Sequence, residues 1–183
     1  MSRFFKIFLI VVLSVFSTLN LSANDTFFSI EKSSDRIEEL ANAVGKRFFK
    51  NIDDFKGAIA RGENVFYVGK HTDITPRPSG VQSHHGVNSV WMKAKYTNYS
   101  ANKAPSVYML NNPNHNATRG VFNTWAKETR LKQGLTKVDY SQITKDDILD
   151  LAKRQFDVAD VPQIVRDDYY KLWDDYLKTL TPK

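Results

Sequence analysis

The sequence predicts an α+β fold, a small sheet with helices on either side of it in the chain. Three observations predict this. Residues 30–50 place Ile37, Leu40, Ala41, Val44 and Phe48 at helical spacing. Two short runs, Val65-Phe66-Tyr67-Val68 and Ala104-Pro105-Ser106-Val107-Tyr108-Met109-Leu110, carry strand formers between turn residues. Beyond Thr144 the apolar residues return to helical spacing, with Ile164, Tyr169, Leu172, Trp173, Tyr176 and Leu177 forming an aromatic-rich face.

The chain has 183 residues. Residues 1–23 read as a secretory signal. Arg3 and Lys6 make a positive start, residues 7–24 are uncharged and apolar, and Leu21-Ser22-Ala23 ends in a small residue suited to cleavage before Asn24. An uncleaved anchor is the other reading. The apolar run is short for a membrane span and is diluted by Ser14, Ser17, Thr18 and Asn20. The expected product is exported, periplasmic or secreted, with no stable membrane insertion after cleavage. Losing the leader's two basic residues lowers the formal +6 of the chain to +4, a modest excess compatible with a polyanionic partner. With no cysteine, thiolate zinc sites, cysteine nucleophiles and a disulfide framework are excluded.

Residues 24–75 are expected to form a helical N-terminal region. Within it, Ser33 or Ser34 can cap the first helix, a short helix covers 53–60, and Arg61-Gly62-Glu63-Asn64 turns into the Val65 strand. Thr75-Pro76-Arg77-Pro78-Ser79-Gly80 breaks regular structure and is taken as a boundary. Residues 76–183 are then the chemical part. A short helix over 87–96 should bury Val87, Val90, Trp91 and Ala94. Asn112 can cap the next helix with Pro113 in its first turn, the helix running to Gln133 and stopping at Gly134. A capping pattern from Thr144 to Asp147 starts a helix through Phe156, and Pro162 opens the last.

The candidate chemistry lies in the four histidines. His84 and His85 are adjacent, and His115 follows at a helix start after a strand. Adjacent residues on an extended segment point opposite ways, so one imidazole can bind a metal while the other faces the substrate. Asn111, Asn112, Asn114 and Asn116 offer amides for orientation or ligation. His71 reads as a solvated loop residue. Trp91, Phe122, Trp125 and Trp173 read as core, and the aspartate pairs at 53–54, 146–147, 167–168 and 174–175 as surface charge. Lys127, Arg130, Lys132 and Lys137 could track a nucleic-acid backbone or simply solvate a helix end.

Ser83-His84-His85-Gly86-Val87, then Ala104-Pro105-Ser106-Val107-Tyr108-Met109, then Asn114-His115-Asn116-Ala117-Thr118-Arg119 resemble the HNH endonuclease superfamily, the ββα-metal or His-Me finger fold. The pattern is most similar to bacterial polymorphic-toxin nucleases named for a small residue followed by His-His. Phe156-Asp157-Val158-Ala159-Asp160-Val161-Pro162, with Tyr169-Tyr170 and Tyr176, resembles their helical tail. The resemblance covers residues 78–180, and residues 24–75 match nothing nameable.

The resemblance implies roles. His84 and His115 match metal ligands, and His85 matches the general base. Asn112 is the candidate for the amide that orients the base, with Asn111 and Asn102 as alternatives. Arg119, one turn beyond His115, stands where some relatives have a further His ligand and implies a phosphate clamp, with Lys127 and Arg130 as further substrate contacts. The implied reaction is metal-assisted hydrolysis of phosphodiester bonds, with Mg²⁺ favoured and Mn²⁺, Zn²⁺ or Ni²⁺ open. The implied substrate is nucleic acid, DNA favoured over RNA, and a toxin of this kind implies an immunity protein in its producer. Two other functions fit the same residues: an exported non-catalytic binding module that keeps the fold, and a nuclease that cleaves RNA or scavenges nucleic acid.

Overall fold

A computed structural model describes residues 48–183. The signal segment and most of the first predicted helix lie outside them. Where that helix was expected to end, Phe48–Phe49 instead form a short strand, β1. It is followed by α1 (Ile52–Ala60), capped by Asn51, whose side chain accepts from the Asp53 and Asp54 amides. Then come β2 (Phe66–Lys70), β3 (Val81–His84), α2 (Ser89–Lys95), β4 (Pro105–Leu110), α3 (Asn116–Gln133), α4 (Lys145–Val158) and α5 (Gln163–Leu177).

The four strands make one sheet in the order β1-β2-β4-β3. β1 runs parallel to β2, and β4 is antiparallel to both its neighbours. The Pro-rich break at 75–80 is therefore a loop between two strands of one sheet, because β2 pairs with β4 across it. The described part of the expected helical N-terminal region contributes two strands as well as α1. β3, β4 and α3 form a strand–strand–helix unit, the arrangement expected from the resemblance, within a mixed α+β fold.

Strand alternation divides the core. Tyr67, Val81 and Tyr108 pack with Phe55 and Ala58 of α1 on one face. Phe66, Val107 and Met109 leave on the other, against Trp91, Trp125, Ile148, Leu151, Phe156, Tyr169 and Trp173. The three tryptophans are core, as expected, and Phe122 packs half-buried beside them. Val90 differs from expectation. It is 53% exposed, and Met92 takes the inward position. With α2 only two turns long, the buried Trp91–Met92 pair sets which side faces in.

The α3 region also differs at its start. Asn112 has extended backbone (φ −126°, ψ 127°), a wide π-type turn covers Asn111–His115, and the regular α-helix begins at Asn116 with no side-chain cap. Its end is as expected, with Gly134 in the left-handed conformation at φ 66°. α4 opens on a full capping box between Thr144 and Asp147.

Candidate active site

The end of β3 delivers the histidine pair, and alternation separates the two rings. His84 turns to the side of the helical tail. Its imidazole meets His115 edge to face at 5.5 Å between centroids, and Phe156 of α4 at 5.9 Å. His85 turns to the opposite side, where Ser106 Oγ lies 3.1 Å from its Nδ1 and the Pro105 carbonyl accepts from the ring.

His84 Nε2 and His115 Nδ1 are buried and have no hydrogen-bond partner. A buried polar nitrogen left unpaired costs about 1–3 kcal/mol, so two in adjoining rings call for a common partner. The surroundings of both rings favour the neutral form, the one that can ligate a cation. Burial, and then the neighbouring His115 and His85, push His84 down to about 3. Burial, then Arg119 and Arg77, lower His115. The pair thus fits a divalent ion as a two-imidazole donor set. Among the described residues no group of three or more His, Cys, Asp or Glu side chains could hold one. Two protein donors would leave coordination positions open for water and substrate, unlike a closed structural zinc site.

The turn after the pair is built by the tail. Gly86 has φ 63°, and a Cβ there would stand 2.6 Å from Phe156 and 2.9 Å from Tyr169. Only glycine suits both the left-handed backbone and that close approach. The Tyr169 hydroxyl donates to the His85 carbonyl and accepts from the Val87 amide. The buried Asn114, next to His115, donates to the Ala159 carbonyl at 2.8 Å. α4 and α5 therefore clamp both segments that carry imidazoles.

Residues 78–178 match the family model of an HNH/Endo VII superfamily toxin with an SHH signature. The chain belongs to that family. Its single Ser-His-His, Ser83-His84-His85, sits at the centre of the geometry above. No solved structure matches the chain. The superfamily is one of nucleases that generally use a divalent metal, so the chain is a nuclease-type toxin domain, and such a domain implies a nucleic-acid substrate.

The predicted site residues of this SHH toxin are only partly brought together. His84 and His115 are in ring contact, while His85 turns its ring to the opposite side of the strand, against Ser106. Arg119 is exposed, and its charge reaches His115. Lys127 and Arg130 are exposed farther along α3. Arg130 is three turns from Arg119 and returns to within about 20° of it around the helix. Asn112, Asn111 and Asn102 are not the residues that hold His85. Asn112 and Asn102 are exposed, Asn111 is tied through its backbone N–H to the Gly80 carbonyl, and the hydrogen-bonding partners at the His85 ring are Ser106 and Pro105. The wide turn explains this, since its extended Asn112 puts no amide back on the strand.

His71 was missed. Far from being a solvated loop residue, it stacks on His85. Arg77 was missed too. Its charge acts on His71, His85 and His115, secondary to burial in each case. Burial, then His71, with Arg77 adding a smaller effect in the same direction, bring His85 to about 4 against the opposing Pro105 carbonyl. Neither residue lies in a recognisable motif, and only the pairing of β2 with β4 carries His71 to the site.

Proposed function

We propose that this toxin domain is an exported, metal-dependent endonuclease that hydrolyses phosphodiester bonds, with DNA as its favoured substrate. The observation that carries this reading is the pair of buried, unpartnered nitrogens on His84 and His115 beside a separately anchored His85. His84 and His115 would hold the ion, with Mg²⁺ favoured. When bound, the ion supplies positive charge that offsets the charge developing on the scissile phosphate.

His85 is the base in this reading. Ser106 and the Pro105 carbonyl anchor its ring. It accepts a proton from water as the water oxygen bonds to phosphorus and the ester oxygen departs. Arg119 and Arg77 supply guanidinium charge beside the imidazoles for the phosphate oxygens, and Lys127 and Arg130 extend the basic surface along α3. Export through residues 1–23 and a neutralising immunity protein complete the reading. Among the described residues no helix is long and apolar enough to cross a membrane.

The test is nicking of supercoiled plasmid, with an RNA arm, by the mature chain and by His85→Ala, each with Mg²⁺ and with a chelator. Cleavage should require the ion and should fall by roughly the 10²–10⁴-fold that a positioned base contributes. Wild-type cleavage by His85→Ala would remove the base assignment. Failure of the wild type on DNA and RNA with every divalent ion would leave a binding module.

A further inference from the structure

We propose that His71 is a positioning residue for the catalytic base, holding the plane of the His85 ring by stacking on it. The proposal rests on the reading of His85 as the base. It goes beyond the family match, which begins at residue 78 and so does not include His71.

The two imidazoles are nearly parallel, with centroids 4.5 Å apart and planes 21° from each other. His71 is itself held at three points. Its amide donates to the Ala104 carbonyl at 3.0 Å. Its carbonyl accepts from the Tyr108 hydroxyl at 2.7 Å. Its Nδ1 lies 2.9 Å from Ser83 Oγ. A histidine at a solvated turn has no need of this framework.

The contact with Ser83 gives the first residue of the Ser-His-His triplet a task. Each member of the triplet meets a different partner: Ser83 meets His71, His84 meets His115, and His85 meets Ser106. Ser83 is paired with Tyr108, two residues beyond Ser106 on β4, so both hydroxyls leave the sheet on one face. Each hydroxyl contacts one Nδ1 of the stacked pair. A ring held through one nitrogen can still swing about its Cβ–Cγ bond, a soft torsion. A flat neighbour on its face restricts that swing, and a proton acceptor is effective only when aimed.

The test uses the mature chain with Mg²⁺ and plasmid DNA, comparing wild type, His71→Ala, His71→Phe and His85→Ala. A second readout is the proton NMR of the His85 ring in metal-free protein. Phe at position 71 keeps a flat face and should keep most of kcat and the ring-current displacement of the His85 protons. Ala should lose that displacement and lower kcat on the order of tenfold with KM unchanged. Wild-type kcat in His71→Ala, a rate in His71→Phe as low as in His71→Ala, or unmoved His85 resonances would overturn the proposal. If the Ala variant does not fold, His71→Leu replaces it and the Phe–Leu difference is read in the same way. An inactive wild type, or a fully active His85→Ala, would count against the base reading instead, and the NMR comparison then decides the stacking by itself.

Discussion

The hydroxyl of Tyr169 on α5 donates to the carbonyl of His85 and accepts the amide of Val87 at 2.9 Å, so the last helix holds the turn that aims the histidine pair. Tyr169 is fully buried, and its hydroxyl serves both backbone groups. Tyr169→Phe should keep the packing and lose the clamp. The expected stability loss is about 1–3 kcal/mol, read as a lower urea midpoint with unchanged slope. Cleavage should fall in conditions where the variant is fully folded. A midpoint equal to wild type would mean that the hydroxyl is dispensable to the turn.

Gly86→Ala meets two obstacles, a backbone at φ 63° and contacts under 3.0 Å with Phe156 and Tyr169. Gly62, at φ 76°, has open space around it. Gly62→Ala should therefore cost only the left-handed penalty, about 1–2 kcal/mol. Gly86→Ala should cost distinctly more and should also lower activity. Equal thermal shifts in the two variants would show that the tail does not press on the turn.

Replacing His84 or His115 with Ala should remove one donor each and weaken Mn²⁺ binding by at least the 10–100-fold typical, as an order of magnitude, of lost supporting groups. Calorimetry on the metal-free chain measures this without any substrate. Unchanged affinity in both variants would place the ion elsewhere.

Arg119 stands one turn beyond His115 and, as a phosphate clamp, should act on substrate only. Arg119→Ala should lower kcat/KM by about ten- to a hundredfold, as expected for one charge-assisted contact, with Mn²⁺ affinity intact. Arg119→Lys should recover part of the loss, since charge survives but the bidentate fork does not. Wild-type turnover in Arg119→Ala would return the residue to the solvated surface of α3.

Export is checked by sequencing the N-terminus of the protein recovered from its native host, which should begin near Asn24. Intact Met1 on the soluble cytoplasmic protein would remove the signal.

Much of the site was legible because its signals are local. A His-His pair on an extended run, and a histidine at a helix start, follow from spacing and side-chain period alone. The base's anchor was not legible. Four asparagines crowd the start of α3, yet the group beside His85 Nδ1 is Ser106, which reads in sequence as an ordinary strand residue. What brings it there is register: His84 faces Val107, which places the Pro105–Ser106 end of β4 beside His85.

By itself the sequence determined the α+β class, most described helix and strand positions, the Gly134 stop, the Thr144 capping box and the three imidazoles of the proposed chemistry. The elements and caps depend on residues within a few positions of one another, whereas the joining of His115 to the His84–His85 pair came from the resemblance to a known family. Tertiary structure alone decided that β2 joins the sheet of β3 and β4, that His71 therefore stacks on His85, and that Phe156, Asn114 and Tyr169 clamp the histidine-bearing segments. Those contacts join residues from 14 to 84 positions apart. The choice among such pairings is made by burying the two faces of one sheet, and no local pattern carries it.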